Sequence, residues 1–263
     1  SKIVVRPITG LGEMLSFTVP ADGYVAETRG ESSGATVRVK LSRDRQAIEQ
    51  AISVAGCDPA IFLAGEHMRR RKDQTSLVGW TMGSMAALRA LQQGEVHVAG
   101  LHLFDPATGE SNLPFLRTTL KSSNYEVVTF ATWEEGLLVR AGNPKSIRAI
   151  EDVVDPDVTI VNREEGAGAR LLLDQRLHAA GINYHQVRGY DTVVASHFEI
   201  ARAIASRQAD VGVGIRSAAQ LFGLDFVPLQ AARYDLVVPK TYLKLHPTLA
   251  HLFETLVSRP FRN

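Results

Sequence analysis

The chain has 263 residues, 45% hydrophobic and 22% charged, an ordinary globular composition with room for a sizeable core and more than one folding unit. A net charge of +1 excludes a basic field for nucleic acid or an anionic membrane, and no apolar run reaches the roughly 18 residues of a membrane-spanning helix. The single cysteine, Cys57, excludes an internal disulfide framework, and the opening SKIVVRPITG carries no secretion signal, so a cytoplasmic protein is expected.

Residues 1–42 read as short strands and turns. Val37, Val39 and Leu41 alternate with Arg38 and Lys40, and turn-forming residues occupy 20–23 and 29–34. Roughly 40 residues of β structure cannot form a core alone, so this piece must pack on something else. From Asp44 the texture changes. A helix over 44–52 with Asp44 as cap leads into a strand over 52–55. Asp58 and Pro59 supply an N-cap and a proline at the first helical position for a helix over 59–71, which ends in the basic cluster Arg69, Arg70, Arg71 and Lys72. A strand over 76–81, a turn at Gly83 and Ser84, a helix over 85–93 and a strand over 96–104 follow. After a loop over 105–114 come a helix over 115–122, strands over 125–130 and 136–140, and a short helix over 147–153.

The second half repeats this grammar. Strands are predicted over 158–161, 185–188, 210–215, 225–228 and 234–238, and helices over 169–180, 196–206, 216–222 and 246–257. Such alternation predicts an α/β fold with helices on both faces of its sheets, and a ligand site at the carboxyl ends of strands. Four loops qualify: 56–58, 81–84, 162–170 and 191–197, two in each half. Two α/β lobes facing each other across a cleft would bring all four together.

The most informative run is TIVNREEGAGARLLLD over 159–174. An apolar strand meets a glycine-rich turn and then an amphipathic helix. The free N–H groups and dipole of a helix start favour an anion there. Gly166 and Gly168 allow close backbone approach, and Arg170 offers a bidentate fork. Ser84 and Ser196 each open a helix, where N-capping and anion donation are both open to the hydroxyl. His197 follows Ser196 and can donate to an anion or simply lie at the surface. His97 and His102 are five apart, which places them on opposite faces of a strand, so no shared metal site is expected there. The other histidines show no ligand spacing. Cys57 sits beside Asp58 at a helix start with no base evident next to it, so an inert buried thiol is expected. The pairs Glu134, Glu135 and Glu164, Glu165 are adjacent in sequence, which does not make an acid/base pair. Tyr190, Tyr234 and Trp80 are open between facing a ligand and packing. Polar loops without a nucleophile and base point to binding rather than turnover.

Six collinear stretches carry a resemblance: AGCDPAI (55–61), GSMAALRALQQGEVHVAGLHLFDPATGESN (83–112), EGLLVRAGNP (135–144), VNREEGAGARLLLD (161–174), SHFEIARAIASRQADVGVGI (196–215) and LDFVPLQAARYDLVVP (224–239). Residues 52–257 resemble the periplasmic-binding-protein-like superfamily, in its cytosolic branch fused to helix-turn-helix regulators or to molybdenum cofactor synthesis proteins. The resemblance implies the two-lobed type 2 fold over 43–263, with one lobe from about 51–133 and 234–263 and the other from about 134–233. Its implied ligand-binding residues are Cys57, Asp58, Thr81, Gly83, Ser84, Asn112, Arg163, Gly166, Gly168, Arg170, Ser196, His197 and Tyr234. This chain has Ala167 and Ala169 where the family often has Ser and Thr, and Ser111 where it often has an aromatic residue.

The stretch ITGLGEMLSFTVPADGYVAETRGESSGATVRVKL (8–41) is similar to the C-terminal β-domain of the molybdopterin molybdenum-transferase family. It implies that residues 1–42 are the end of such a domain and that the chain is part of a fusion. Together the resemblances imply a cytosolic receptor domain for a small oxyanion, molybdate or tungstate, linked to molybdenum cofactor biosynthesis. No resident cofactor is implied. Its partners would be the small anion and the transferase portion of the same chain, with a homodimer formed through that parent domain. Hinges near 130–138 and 230–236 would close the lobes. Two other readings stay open: an effector-sensing domain of a transcriptional regulator, and a transporter solute receptor for an organic anion.

Overall fold

The computed structural model describes residues 51–70, 76–121, 123–246 and 248–262, together with the backbone of four strands nearer the N-terminus. The helix expected over 44–52 lies outside the described residues apart from Ala51 and Ile52, and so do Arg71, Lys72 and most of the turn over 20–23. Strands β1 (Arg6–Pro7) and β2 (Thr18–Val19) pair antiparallel. Strands β3 (Gly23–Glu31) and β4 (Gly34–Leu41) form an antiparallel hairpin that sets Val39 opposite Val25.

The main body begins with β5 (Ile52–Gly56), α1 (Ala60–Arg70), β6 (Leu77–Thr81), α2 (Ser84–Gln92) and β7 (Val98–Leu101). A short hairpin of β8 (Phe104–Asp105) and β9 (Glu110–Ser111) leads to α3 (Leu113–Leu120) and β10 (Tyr125–Val139). Then come β11 (Asn162–Arg163), α4 (Gly168–Ala179), β12 (Val193–Val194), α5 (His197–Ala205), β13 (Val211–Ile215), α6 (Arg216–Leu221) and β14 (Asp225–Pro239). Helices α7 (Lys240–Leu245), α8 (Thr248–Val257) and α9 (Arg259–Arg262) close the chain.

Six strands form one mixed sheet in the order β13-β10-β14-β7-β5-β6. β5 runs parallel to β6 and β7, as helical crossovers require, while β14 is antiparallel to β7 and to β10. This is the α/β two-lobed arrangement. Each half of the sheet is covered on both faces, so its strands are apolar in both directions. In the first half Ile52, Val54, Leu236 and Val238 point to one core with Met68 and Leu252, while Ala55, Ala99 and Val237 point to another with Leu88 and Leu116. In the second half Leu137, Val139 and Val213 meet Leu172 and Leu177, and Leu138 meets Ile200 and Ile204 on the other face.

Three predicted boundaries are corrected. The four short strands expected over 125–130, 136–140, 225–228 and 234–238 are two continuous strands, β10 and β14, paired along nearly their whole length. The polar and small residues between the expected strands break the apolar pattern, but each strand satisfies the other's backbone groups as both pass from one lobe to the other. Two register shifts, between Thr129 and Ala131 and between Glu135 and Gly136, bracket the crossing, where 131–135 pairs with 230–234. The strand expected over 185–188 is a 3-10 turn, Tyr184–Gln186, because the Asn183 side chain accepts from the His185 N–H at 3.0 Å and caps it. The helix expected over 246–257 starts two residues later as α8, since the proline after His246 disfavours helical backbone at His246, which sits at φ −124°.

Asp235 ties the corner at Asn112 to the crossing strands. It is fully buried, and accepts from Asn112 Nδ2 at 2.8 Å, Thr129 Oγ1 at 2.9 Å and Arg233 Nε at 2.9 Å. His97 forms a second polar junction, where its Nδ1 accepts from the Ser53 N–H at 3.0 Å. Burial, and then the nearby His246, push His97 down to about 4. Above the unfolded value of about 6.5 this group adds no pH dependence. Below it the unfolded chain takes up a proton that the folded chain refuses. Stability therefore falls with pH from about 6.5 towards about 4, by at most about 1.4 kcal/mol per unit, reduced by the ring's partial exposure. Melting temperature followed across that window should show the loss, and His97→Gln should flatten it.

Candidate functional site

The ends of β5, β6 and β7 and the start of α5 meet at the crossing strands. Cys57 and Asp58 follow β5, Thr81 ends β6, His102 follows β7, and His197 opens α5 behind the N-cap Ser196. A pocket of about 190 Å³ lies here, lined by Cys57, Pro59, Thr81, Ser196, His197, Phe198 and Ile215. It is below the range of drug-sized sites, about 300–1,000 Å³, and suits a ligand of a few heavy atoms.

The glycine-rich elements expected to cradle an anion meet each other instead. The Met85 N–H donates to the Gly166 carbonyl at 3.1 Å, and Gln175 Nε2 donates to the Phe104 carbonyl at 3.1 Å, both across the two lobes. A Cβ on Gly83 would fall 3.0 Å from Ala167 Cα, and one on Gly166, at φ 81°, would fall 2.9 Å from Met85 Cβ. Gly168 sits directly against the His102 carbonyl and ring. The lobes are thus in contact, and these glycines make the contact close.

Several expected donors have other partners. Ser84 Oγ accepts from the His102 N–H at 3.1 Å. Ser196 Oγ accepts from the Glu199 N–H at 3.1 Å as an N-cap. The Arg170 Nε reaches both Asp174 oxygens at 3.1 Å, its Nη1 reaches the Arg163 carbonyl at 3.3 Å, and its guanidinium lies 4.2 Å from the centre of the Tyr190 ring. Asn112 Oδ1 accepts from the Leu103 N–H at 2.7 Å, and its Nδ2 serves Asp235 and the Arg233 carbonyl. Tyr234 is fully buried, with its hydroxyl accepting from the Asp58 N–H at 3.4 Å. Burial, then Cys57 and Asp58, hold that phenol well above its ordinary range.

Two expected residues are placed differently by their surroundings. Arg163 is 1% exposed, paired to Glu164 through Nε at 2.8 Å and Nη2 at 2.9 Å, and its Nη1 has no hydrogen-bond partner among the described residues. His197 is 2% exposed and neither ring nitrogen has a partner among the described residues. Burial, then the charges of Arg163 and His102, hold His197 well below its usual range, so it is neutral.

The expectation that nothing titratable stands beside Cys57 except Asp58 is corrected. His102 faces the thiol, and its Nδ1 lies 2.9 Å from Glu135 Oε1, with both side chains buried. Burial pulls His102 down, but Cys57 and Glu135 together outweigh it and raise it to about 10. His102, Trp133 and Glu135 stand among these residues and are not in the set expected from the sequence. Trp133 and Glu135 share one face of β10, and Trp133 stacks on Tyr234 at 4.5 Å and lies 5.0 Å from His102. The signal in the sequence is the alternation of these two residues, hidden because 131–135 reads as a break between strands. The neighbouring Glu134 points outward and pairs with Arg216.

Residues 65–257 match the family model of the PBP superfamily domain. YvgK of Bacillus subtilis (strain 168) is 35% identical over 189 residues, which are 72% of this chain and 61% of that protein, so the chain spans less than two thirds of that relative's length. Among solved structures, a putative phosphate ABC transporter substrate-binding protein with bound phosphate from Clostridium perfringens is similar at a TM-score of 0.59 and 12% identity, over 80% of this chain and 94% of that one. The CcmR regulatory domain of Synechocystis PCC6803 in complex with 2-PG is similar at 0.54 and 14%, over 80% and 98%. At such identities the likeness is one of fold.

Proposed function

Since this chain belongs to the PBP superfamily, we propose that it binds a small anion reversibly between its lobes, with Arg163 and His197 as the central donors. The carrying observation is that buried pair: an imidazole on the pocket wall with both nitrogens unpartnered among the described residues, and, near enough to act on it electrostatically, a guanidinium with one nitrogen unpartnered. A buried donor left without an acceptor costs about 1–3 kcal/mol, more when charged, and an anion removes that cost. Helix α5 adds its N-terminal dipole. The small volume favours an inorganic oxyanion.

The ligand proposed first is molybdate or tungstate, in a cytoplasmic chain serving molybdenum cofactor synthesis through a transferase portion of the same protein. The resemblance of residues 8–41 to that transferase's tail supports this choice. The fold similarity to a phosphate-bound receptor supports a tetrahedral oxyanion in general. A second reading, an effector-sensing domain for an organic anion, is supported by the similarity to the CcmR regulatory domain. The expected lobes, about 51–133 with 234–263 and about 134–233, would then close about the crossing strands.

Isothermal titration with molybdate, tungstate, sulfate, phosphate and a small carboxylate tests this. Arg163→Met should keep the chain folded and weaken anion binding by about 30-fold or more, the usual cost of truncating a buried charged partner being about 2–5 kcal/mol. Arg170→Ala removes a brace on Asp174 and Tyr190, and should cost less than about tenfold. Binding untouched by Arg163→Met, or abolished by Arg170→Ala alone, would move the site to the glycine-rich turn. No binding of any anion would sink the reading.

A further inference from the structure

We propose that Cys57, His102 and His197 form a site for a thiophilic divalent metal ion of the zinc class, which bridges the two lobes and keeps one coordination position open to the pocket. One thiol sulfur and two imidazole nitrogens, all buried, lie within 4.8 Å of one another. Cys57 and His102 follow strands of the first lobe and His197 opens a helix of the second, so the cluster exists only when the lobes meet. Tetrahedral zinc with Zn–S of about 2.3 Å and Zn–N of about 2.0–2.1 Å needs ligand atoms about 3.4–3.6 Å apart. The cluster would reach that by rotation of the three side chains, the lobes being already in contact.

Three independent features fit a metal rather than a chance meeting of polar groups. The first is His197, whose two ring nitrogens are buried and unpartnered among the described residues, an arrangement that lacks an acceptor or a cation. The second is Glu135. Its Oε1 lies 2.9 Å from His102 Nδ1, a close contact of two buried side chains, and His102 Nε2, unpartnered among the described residues, would ligate by giving up its proton as the metal binds. A carboxylate behind a ligating histidine is the usual outer support of such centres. The third is the wall. Trp133 lies 5.0 Å from the His102 ring and 5.7 Å from the His197 ring, and its own ring stacks on Tyr234. These rings wall the two histidines on one side. Thiolate and imidazole donors select zinc-like and copper-like ions over magnesium or calcium. With three protein ligands the fourth position stays free, as in sites that bind or activate a small molecule rather than closed structural ones. Cys57 and His197 also line the pocket, so that position opens onto it.

The whole chain, stripped with a chelator, would be titrated with zinc alone and, separately, with cobalt(II), with no oxyanion present. One tightly held metal per chain is expected after desalting, with a thiolate-to-cobalt charge-transfer band. Cys57→Ser should abolish that band, and His197→Gln should weaken zinc binding at least 100-fold. His197→Gln should fold normally, because the ring makes no hydrogen bond that is lost among the described residues. His67→Gln, away from the cluster, should change nothing. Retention of less than one zinc per chain, a cobalt spectrum without the thiolate band, or unchanged affinity in His197→Gln would each overturn the site. Because no anion is used, a failure here leaves the anion-binding reading untouched.

Discussion

Gly168→Ala is expected to weaken ligand binding while leaving the chain folded. The methyl would enter van der Waals space already held by the His102 carbonyl and would stand 2.5 Å from His102 Nδ1. Gly168 belongs to the second lobe and His102 to the first. The clash is therefore confined to the closed form and vanishes when the lobes part. Overpacking of this kind costs about 1–3 kcal/mol, sometimes more, and neither backbone carbonyl nor buried ring has room to move aside. Placed on the closed form alone, that cost lowers affinity by about 5- to 150-fold. The open form is unharmed, since Gly168 is the first residue of α4 and is not among the glycines at positive φ, so alanine fits its backbone. Titration of the bound anion together with small-angle scattering checks this. A variant that binds as the parent does, or that melts many degrees lower, would contradict it.

Asp235→Ala is expected to act on the fold instead. The carboxylate is fully buried and collects three donors, from Asn112, Thr129 and Arg233. Its loss leaves the Asn112 amide with one acceptor fewer in the interior and removes the partner of a guanidinium. Arg233 is 42% exposed and can turn to water, so the cost is that of the under-satisfied buried amide, about 1–3 kcal/mol. For a body of this size each kcal/mol moves the melting temperature by about 2–4 °C, so a fall of about 2–12 °C is expected. Asp235→Asn, which keeps an acceptor oxygen, should lose less. A drop of under about 2 °C for the alanine variant would show that the network contributes little.

Much of the architecture is legible in the sequence because burial on both faces leaves short apolar runs such as Ile52 to Ala55 and Val211 to Ile215, each followed by helical spacing. The crossing strands are not legible. Trp133, Glu135 and Arg233 look like loop residues, and only the pairing of β10 with β14 makes them strand residues. The site follows the same rule. Loop positions such as Cys57, Thr81 and His197 are marked by helix starts and glycine turns. The juxtaposition of His102 and Glu135 depends on residues 33 apart in sequence being set side by side by the sheet. Arg170 shows the converse. Its place in the first turn of α4 suggests a ligand fork, yet its neighbours Asp174 one turn on and Tyr190 on the next segment occupy it.

The paired crossing also sets an order of assembly during synthesis. The second half of the sheet uses residues from 136 to 228 without interruption, so its partners emerge close together. The first half has no such luxury: β7 waits for residues 235–237, and the core around Ile52 and Met68 waits for Leu249, Leu252 and Leu256 near the end of the chain. Closing that long loop carries the larger entropic cost. Until it closes, the edge of β7 and the apolar face of α1 stand exposed, which makes the nascent first lobe the part most dependent on a chaperone.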